Sequence, residues 1–380
     1  MPANRCSALR RTRTIFPLLL LSLVWTLGTS GGLRAQDKAL SGEKRAKIEK
    51  AVSAFMTASS VPGVSVAVVQ HGQPIWSAGF GMSDLEDSAP ATSSTLYRLA
   101  SISKSITAVA ILQLYERGKL DLDAPVQKYC PAFPQKDSPI TSRQLLAHLS
   151  GIRHYSDDGK GDVPPDSARH FATMEESLQL IASDPLLSKP GTQFHYSTYG
   201  YTVLGCVLEG AASQKYADFV RENIFRPAAM DHTQPDDFFA IVPHRTRWYH
   251  KDKSGVVRNA GVLDSSYKIP GGGLISSADD MANFEAALLA DKLLKRSTRD
   301  LMWTVAQPSD GKPSHYALGW FIADKFGVHT AGHSGGQQGT DTDVVIAPDR
   351  ALGVVVLANM DNVNTSALGD SLLKITLDLP

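Results

Sequence analysis

Cysteine is scarce in this chain. Three occur in 380 residues, at Cys6, Cys130 and Cys206, too few for a fold held by a disulfide framework. No Cys-x-x-Cys, no His-Glu-x-x-His and no tight His/Cys group is present. That removes the common zinc signatures, and no metal or other cofactor is expected. His148 with His154, and His244 with His250, read as ordinary hydrogen-bonding or surface residues. An excess of one charge is lacking too: Lys plus Arg and Asp plus Glu both number 38. No basic stripe stands out, so nucleic acid is not an expected partner. No apolar run reaches the roughly 20 residues that cross a bilayer comfortably. Internal repeats and long low-complexity segments are also missing.

Acidic residues are missing before Asp37. Arg5, Arg10, Arg11 and Arg13 precede an apolar run from Ile15 to Leu27, then small residues and a possible cut after Ala35. Residues 1–35 therefore read as an export signal, and the protein as periplasmic or secreted. A mitochondrial presequence, also Arg-rich and acid-poor, is the alternative. Without this segment 33 basic and 38 acidic side chains remain, a net charge of −5. Cys130 and Cys206 remain as well, with their pairing left open. Oligomeric state is not legible.

β-rich stretches sit at both ends of the remaining chain. Gly63–Val69 and Pro74–Phe80 flank a turn at His71-Gly72 and read as a hairpin. Further strands are expected at Tyr316–Ala323, Thr342–Ala347 and Leu352–Ala358. Between them lies a loop-rich region with short helical patterns at Ser142–His148, Glu175–Ala182 and Tyr201–Ala212, with few β-rich runs before about Thr246. Other helical patterns cover Lys38–Ala58, Ala278–Ala290 and Asn364–Ile375. The arrangement predicts an α+β fold: an antiparallel sheet built from 36–120 and 260–380, flanked by helices, with a mostly helical insert at 121–259. Gly271-Gly272-Gly273 lacks the following Gly-Lys-Ser/Thr of a phosphate loop. It reads as a tight turn into the helix start at Ser276–Asp280.

Ser-x-x-Lys occurs five times, from Ser41, Ser101, Ser265, Ser309 and Ser371. On a helix, residues i and i+3 share a face, so a lysine there can take the serine proton if it is held neutral. From Ile102 to Tyr115 the chain is apolar nearly all round, the mark of a buried helix. Burial pushes a lysine towards its neutral, basic form. Ser101 and Lys104 sit at the start of that helix. Ser41 lies in a charged run, Ser309 in a Pro/Asp/Gly loop and Ser371 in an amphipathic C-terminal segment. Ser265 precedes Ile269-Pro270 and three glycines, and so lacks the buried-helix setting.

Gly332-His333-Ser334-Gly335-Gly336 also matches Gly-x-Ser-x-Gly, the elbow of α/β-hydrolases. That fold needs a histidine later in the chain, and none follows His333. A glycine-rich strand edge, open to a substrate backbone, fits better.

Ser101-x-x-Lys104, Leu145-Leu-Ala-His148-Leu-Ser-Gly151, Tyr196-Ser197-Thr198 and His333-Ser334-Gly335 occur in that order. The chain thereby resembles the penicillin-recognising serine hydrolases. It looks most like the branch of class C β-lactamases, D-alanyl-D-alanine peptidases and family VIII esterases, which also holds a mitochondrial β-lactamase-like member. The resemblance implies the β-lactamase/transpeptidase-like fold, with Ser101 as acylated nucleophile, Lys104 as general base and Tyr196 as proton relay. Thr198, His333, Ser334, Gly335 and Gly336 would bind substrate, with the backbone N–H groups of Ser101 and Gly336 as oxyanion hole. His333 would steer a carboxylate or shape the site; His148 and Gly151 would be structural. Thr198 stands where the family carries asparagine, which puts the contacts to Lys104 and to a substrate amide in question. The implied activity is cleavage of small amides or peptides of the D-alanyl type through an acyl-enzyme. Carboxylester hydrolysis and weak β-lactam hydrolysis are the enzymatic alternatives. An acylation sensor or assembly-forming protein is the non-enzymatic one.

Overall fold

The computed structural model describes residues 40–155 and 168–379; the export segment expected at 1–35 lies outside them. Gly63–Gln70 (β1) is buried along nearly its whole length. At His71-Gly72 both residues take positive φ, 53° and 67°, the handedness that suits a tight hairpin turn. The chain returns there as Gln73–Asp84 (β2). The other edge of β1 pairs antiparallel with Leu352–Ala358 (β12), Val66 facing Val356, so the two ends of the fold join in one sheet. Between them in chain order come Ala89–Pro90 (β3), Tyr97–Arg98 (β4), Gln234–Pro235 (β5), Tyr249–Lys251 (β6), Val257–Asn259 (β7), Leu274–Ser276 (β8), Phe321–Lys325 (β9), Val328–Gln337 (β10) and Thr340–Ala347 (β11). The main sheet runs β3-β2-β1-β12-β11-β10-β9, with small sheets β4-β8-β5 and β6-β7 beside it.

Alternation along the central strands feeds two cores. Val66, Val354 and Val356 pack with Ile48 and Val52 of Gly42–Ser59 (α1) and Leu372 of Thr365–Thr376 (α10). Val69, Val355 and Leu357 belong instead to the cluster holding Ile106 and Val109 of Ser103–Glu116 (α2) and Phe284 of Ala278–Leu289 (α8). Each such side chain, fully buried, contributes about 1.5–3 kcal/mol.

The middle of the chain carries Ser142–Leu146 (α3), Met174–Leu178 (α4), Thr198–Ala212 (α5) and Tyr216–Val220 (α6); Ile269–Gly272 (α7) and Arg296–Met302 (α9) follow. Leu204 and Phe219 share the apolar cluster of Ile106, so these helices and α2 have one core in common. Cys130 and Cys206 are joined by a disulfide, with Cα atoms 5.4 Å apart.

Two expectations need adjustment. The strand expected from Tyr316 begins at Phe321, because Gly319 at φ 84° turns the chain against Ala108 of α2. The three glycines close the short helix α7 and lead into β8, and α8 starts only after Ser277 caps it.

Candidate active site

Ser101 sits in a 3₁₀ turn, Ala100–Ile102, that leads directly into α2. Ala100 takes φ 47°, a left-handed conformation uncommon outside glycine and characteristic of constrained sites. The turn leaves Ser101 half-buried while Ser103, Lys104 and Ser105 are fully enclosed. Lys104 belongs to the first turn of α2, where the helix N-terminus further disfavours positive charge.

Lys104 Nζ lies 3.0 Å from Ser101 Oγ, 3.2 Å from Thr198 Oγ1 and 2.6 Å from the Gly271 carbonyl oxygen. Burial, and after it the charge of Lys268, hold its pKa well below 10.5. A neutral amine has two N–H donors and one lone pair. Gly271 O can only accept, and Thr198 Oγ1 stands ready to accept the second N–H. The lone pair is then left for the Ser101 hydroxyl, the polarity a general base needs. Thr198 thus keeps the contact to Lys104 that its replacement of an amide had put in question.

Tyr196 reaches the same point from the segment that leads into α5. Its ring centroid is 4.8 Å from Lys104 Nζ. Burial raises the phenol pKa, while hydrogen bonding with Ser101 works against the rise, so the group carries its proton at neutral pH. Ser197 caps α5 by accepting from the Gly200 N–H at 2.9 Å, and its own hydroxyl donates to Arg153 O. His148 clamps the irregular segment before the cap. Its carbonyl accepts from the His195 N–H at 2.9 Å and its Nδ1 from the Ser197 N–H at 3.1 Å. Its ring lies 4.3 Å from that of Tyr196. Burial keeps His148 neutral, and it packs behind Tyr196.

β10 supplies the opposite wall. A Cβ on Gly335 would come within 2.3 Å of Leu99 O and 3.0 Å of Ser101 N, so only glycine lets the strand approach the nucleophile this closely. Gly336 is exposed beside it. Ser334 is exposed as well and lines a separate cavity of about 180 Å³ with Lys325 and Asp343. His333 is buried and burial pushes its pKa down to about 3. Its Nδ1 lies 2.6 Å from Ser334 O, which can only accept, so Nδ1 carries the hydrogen. Nε2 then accepts from the Tyr316 hydroxyl at 2.9 Å. Neutral and engaged at both nitrogens, His333 shapes the wall and offers no cation to a carboxylate.

One expectation about the repeated Ser-x-x-Lys spacing is overturned. Ser265 and Lys268 are buried, at 0% and 3% exposure, because the turn Ser266–Lys268 and α7 tuck beneath Ala100. Lys268 lies close enough to depress the pKa of Lys104. Ser265 is no rival nucleophile: fully enclosed, it offers no approach to a substrate. Lys268, the Gly271 carbonyl, and His154, whose Nδ1 accepts from the Thr198 N–H at 3.2 Å, are site groups the motifs did not single out. The apolar residues around Lys268 gave no period to read.

Residues 48–375 match the family described as Beta-lactamase. The mouse protein "Serine beta-lactamase-like protein LACTB, mitochondrial" is 30% identical over 83% of this chain and 77% of its own length. Among solved structures, the octameric penicillin-binding protein homologue from Pyrococcus abyssi superposes with TM-score 0.77 at 27% identity, covering 88% of this chain and 78% of that one. A D-stereospecific amidohydrolase from Streptomyces sp. gives TM-score 0.73 at 26% identity, over 87% of this chain and 97% of that one.

Proposed function

The chain belongs to the beta-lactamase family and is a serine hydrolase of the penicillin-recognising kind; from that premise we propose that it cleaves small amides, including peptides of the D-alanyl type, through an acyl-enzyme on Ser101. The observation that carries this reading is the Lys104 amine 3.0 Å from Ser101 Oγ, with Gly271 O at 2.6 Å and Thr198 Oγ1 at 3.2 Å placed to accept its two N–H groups. The likeness to a D-stereospecific amidohydrolase supports an amide as the bond cleaved.

In the proposed sequence Ser101 Oγ attacks the carbonyl carbon and its proton passes to Lys104 Nζ. The oxyanion that forms faces the N–H groups of Ser101 and Gly336, a type of donor pair worth several kcal/mol to such an intermediate. Collapse breaks the C–N bond; the departing amine takes a proton from the Tyr196 phenol, which is replenished from Lys104. Water then attacks the acyl carbon, giving its proton to the same pair; the ester C–O bond breaks, Ser101 Oγ takes that proton back, and the acid leaves with Lys104 neutral again. A Tyr196 that keeps its proton until called upon suits this relay.

Export fits the Arg-rich, acid-free N-terminal pattern, and a Cys130–Cys206 disulfide is at home in an oxidising compartment. Among the described residues no helix is long and apolar enough to cross a membrane. The test of function is turnover of a D-Ala-D-Ala peptide, a D-amino acid amide, a short p-nitrophenyl ester and a fluorescent penicillin, beside Ser101→Ala. Amide or peptide cleavage lost in the variant supports the reading. Ester turnover alone replaces it with a carboxylesterase, and stable labelling without turnover with an acylation sensor. Turnover unchanged in Ser101→Ala removes the mechanism.

A further inference from the structure

Thr198 supplies one of the two acceptors that direct the Lys104 amine, and its side chain has little freedom in doing so. A single torsion leads to Oγ1, and a β-branched residue is stiff about it. The other branch, Cγ2, packs against Gly271. Oγ1 therefore has no adjustable stem with which to find Lys104 Nζ, 3.2 Å away. An asparagine would have a second torsion to absorb an error of placement. For a threonine, the backbone at residue 198 decides where the acceptor stands.

That backbone opens α5, and the first N–H groups of a helix have no partner within it. Two imidazoles serve the two residues at this start. The Ser197 N–H goes to His148 Nδ1 at 3.1 Å and the Thr198 N–H to His154 Nδ1 at 3.2 Å. His148 is fully enclosed, whereas His154 is half-buried and lines a cavity of about 410 Å³ beside the site. The His154 ring is itself held on two sides. It packs on Tyr155 with centroids 3.7 Å apart and meets Tyr196 edge-on at 5.6 Å. Burial, then the charges of Lys104, Lys268 and Arg153, push its pKa down to about 3. The ring is thus neutral, and accepting at Nδ1 leaves its hydrogen on Nε2.

We propose that His154 is a positioning residue for acyl transfer: its Nδ1 holds the Thr198 amide so that Oγ1 meets the Lys104 amine, and it acts through Thr198. The inference rests on the acyl-enzyme reading, and its test separates the two. The probe is a fluorophosphonate, whose P–F bond breaks as Ser101 Oγ bonds to phosphorus and the hydroxyl proton passes to Lys104. Limiting labelling rate and half-saturating concentration are measured on the full-length chain. His154→Asn puts an amide oxygen where Nδ1 stands and should label close to the parent rate. His154→Gln carries its polar atoms to the place of Nε2 and should be slower by about tenfold, part of the hundredfold that a 1 Å misplacement can cost. His154→Leu should resemble His154→Gln, and half-saturation should move little in all three. In Thr198→Val the acceptor is already gone, so His154→Gln should there cost less than about twofold, the non-additivity of groups acting as one unit. If His154→Leu fails to fold, the contrast of asparagine with glutamine carries the test. A parent rate in His154→Gln, equal losses in the asparagine and glutamine variants, or the same fold-loss in the Thr198→Val background overturns the proposal. A parent in which Ser101 takes no label defeats the acyl-enzyme reading, and this inference with it.

Discussion

The Gly271 carbonyl oxygen lies 2.6 Å from Lys104 Nζ, so a backbone turn 167 residues downstream sets the direction of the catalytic amine. The glycines make this possible. A Cβ on Gly271 would fall 2.9 Å from both Cγ2 and O of Thr198, pushing apart the two acceptors that hold the amine's N–H groups.

Thr198 should therefore matter through Lys104. Thr198→Val keeps shape but removes the acceptor, leaving a buried N–H unpaired at a cost of about 1–3 kcal/mol. The expected outcome is a fall in kcat of about tenfold or more, with Thr198→Ser close to the parent. Steady-state kinetics on the three proteins checks this.

The pH profile should follow from the same environment. Lys104 must be neutral to act, and its pKa is held well below 10.5, so kcat/KM for an uncharged substrate should rise with pH through an acid limb far below the ordinary lysine range. The Lys268 charge helps to depress that pKa. Lys268→Met should move the limb to higher pH, and a profile that does not move would show that burial alone holds the amine neutral.

Much of this site was legible in the sequence. Apolarity nearly all round from Ile102 to Tyr115 identified α2, and the spacing of Ser101 and Lys104 carried over because the 3₁₀ turn runs directly into the helix. Tyr196 and β10 came through ordered motifs. The second buried pair, Ser265 and Lys268, did not, since its enclosure draws on Ala100 and Tyr155, residues remote in sequence with no shared period. Backbone acceptors such as Gly271 O are invisible to residue type altogether. The cysteine pairing needed the fold, because spacing says nothing of how the stretch around Cys130 packs on α5.

Glu285 offers a stability test away from the chemistry. It is fully buried on α8 with both carboxylate oxygens unpartnered, and burial, then Asp343, raises its pKa well above 4.5. Unfolded, the group ionises above about pH 4.5; folded, it stays protonated to higher pH. It therefore costs nothing at low pH and destabilises progressively as pH rises towards its folded pKa. Glu285→Gln should raise stability at pH 7.5 by about 1 kcal/mol or more, the worth of one pKa unit, and little at pH 4. Thermal melts at the two pH values read the difference.

The disulfide should act on stability rather than on chemistry. Cys130 and Cys206 are 76 residues apart, and closing such a loop typically stabilises by about 2–4 kcal/mol. Cys130→Ala with Cys206→Ala, or treatment with reductant, should lower the denaturant midpoint by a corresponding amount.

Gly335→Ala should be severe. The added Cβ meets Leu99 O and Ser101 N, and displacement of the nucleophile by about 1 Å can cost about a hundredfold in rate. Slower labelling of Ser101 by a fluorophosphonate probe would register it.

The most direct test of the central claim is mass spectrometry of the protein quenched during turnover of an amide or ester substrate. An acyl increment on the peptide containing Ser101, transient in the parent and absent in Ser101→Ala, is the expected result. Turnover with no adduct, or with an adduct on another residue, would contradict a nucleophile at Ser101.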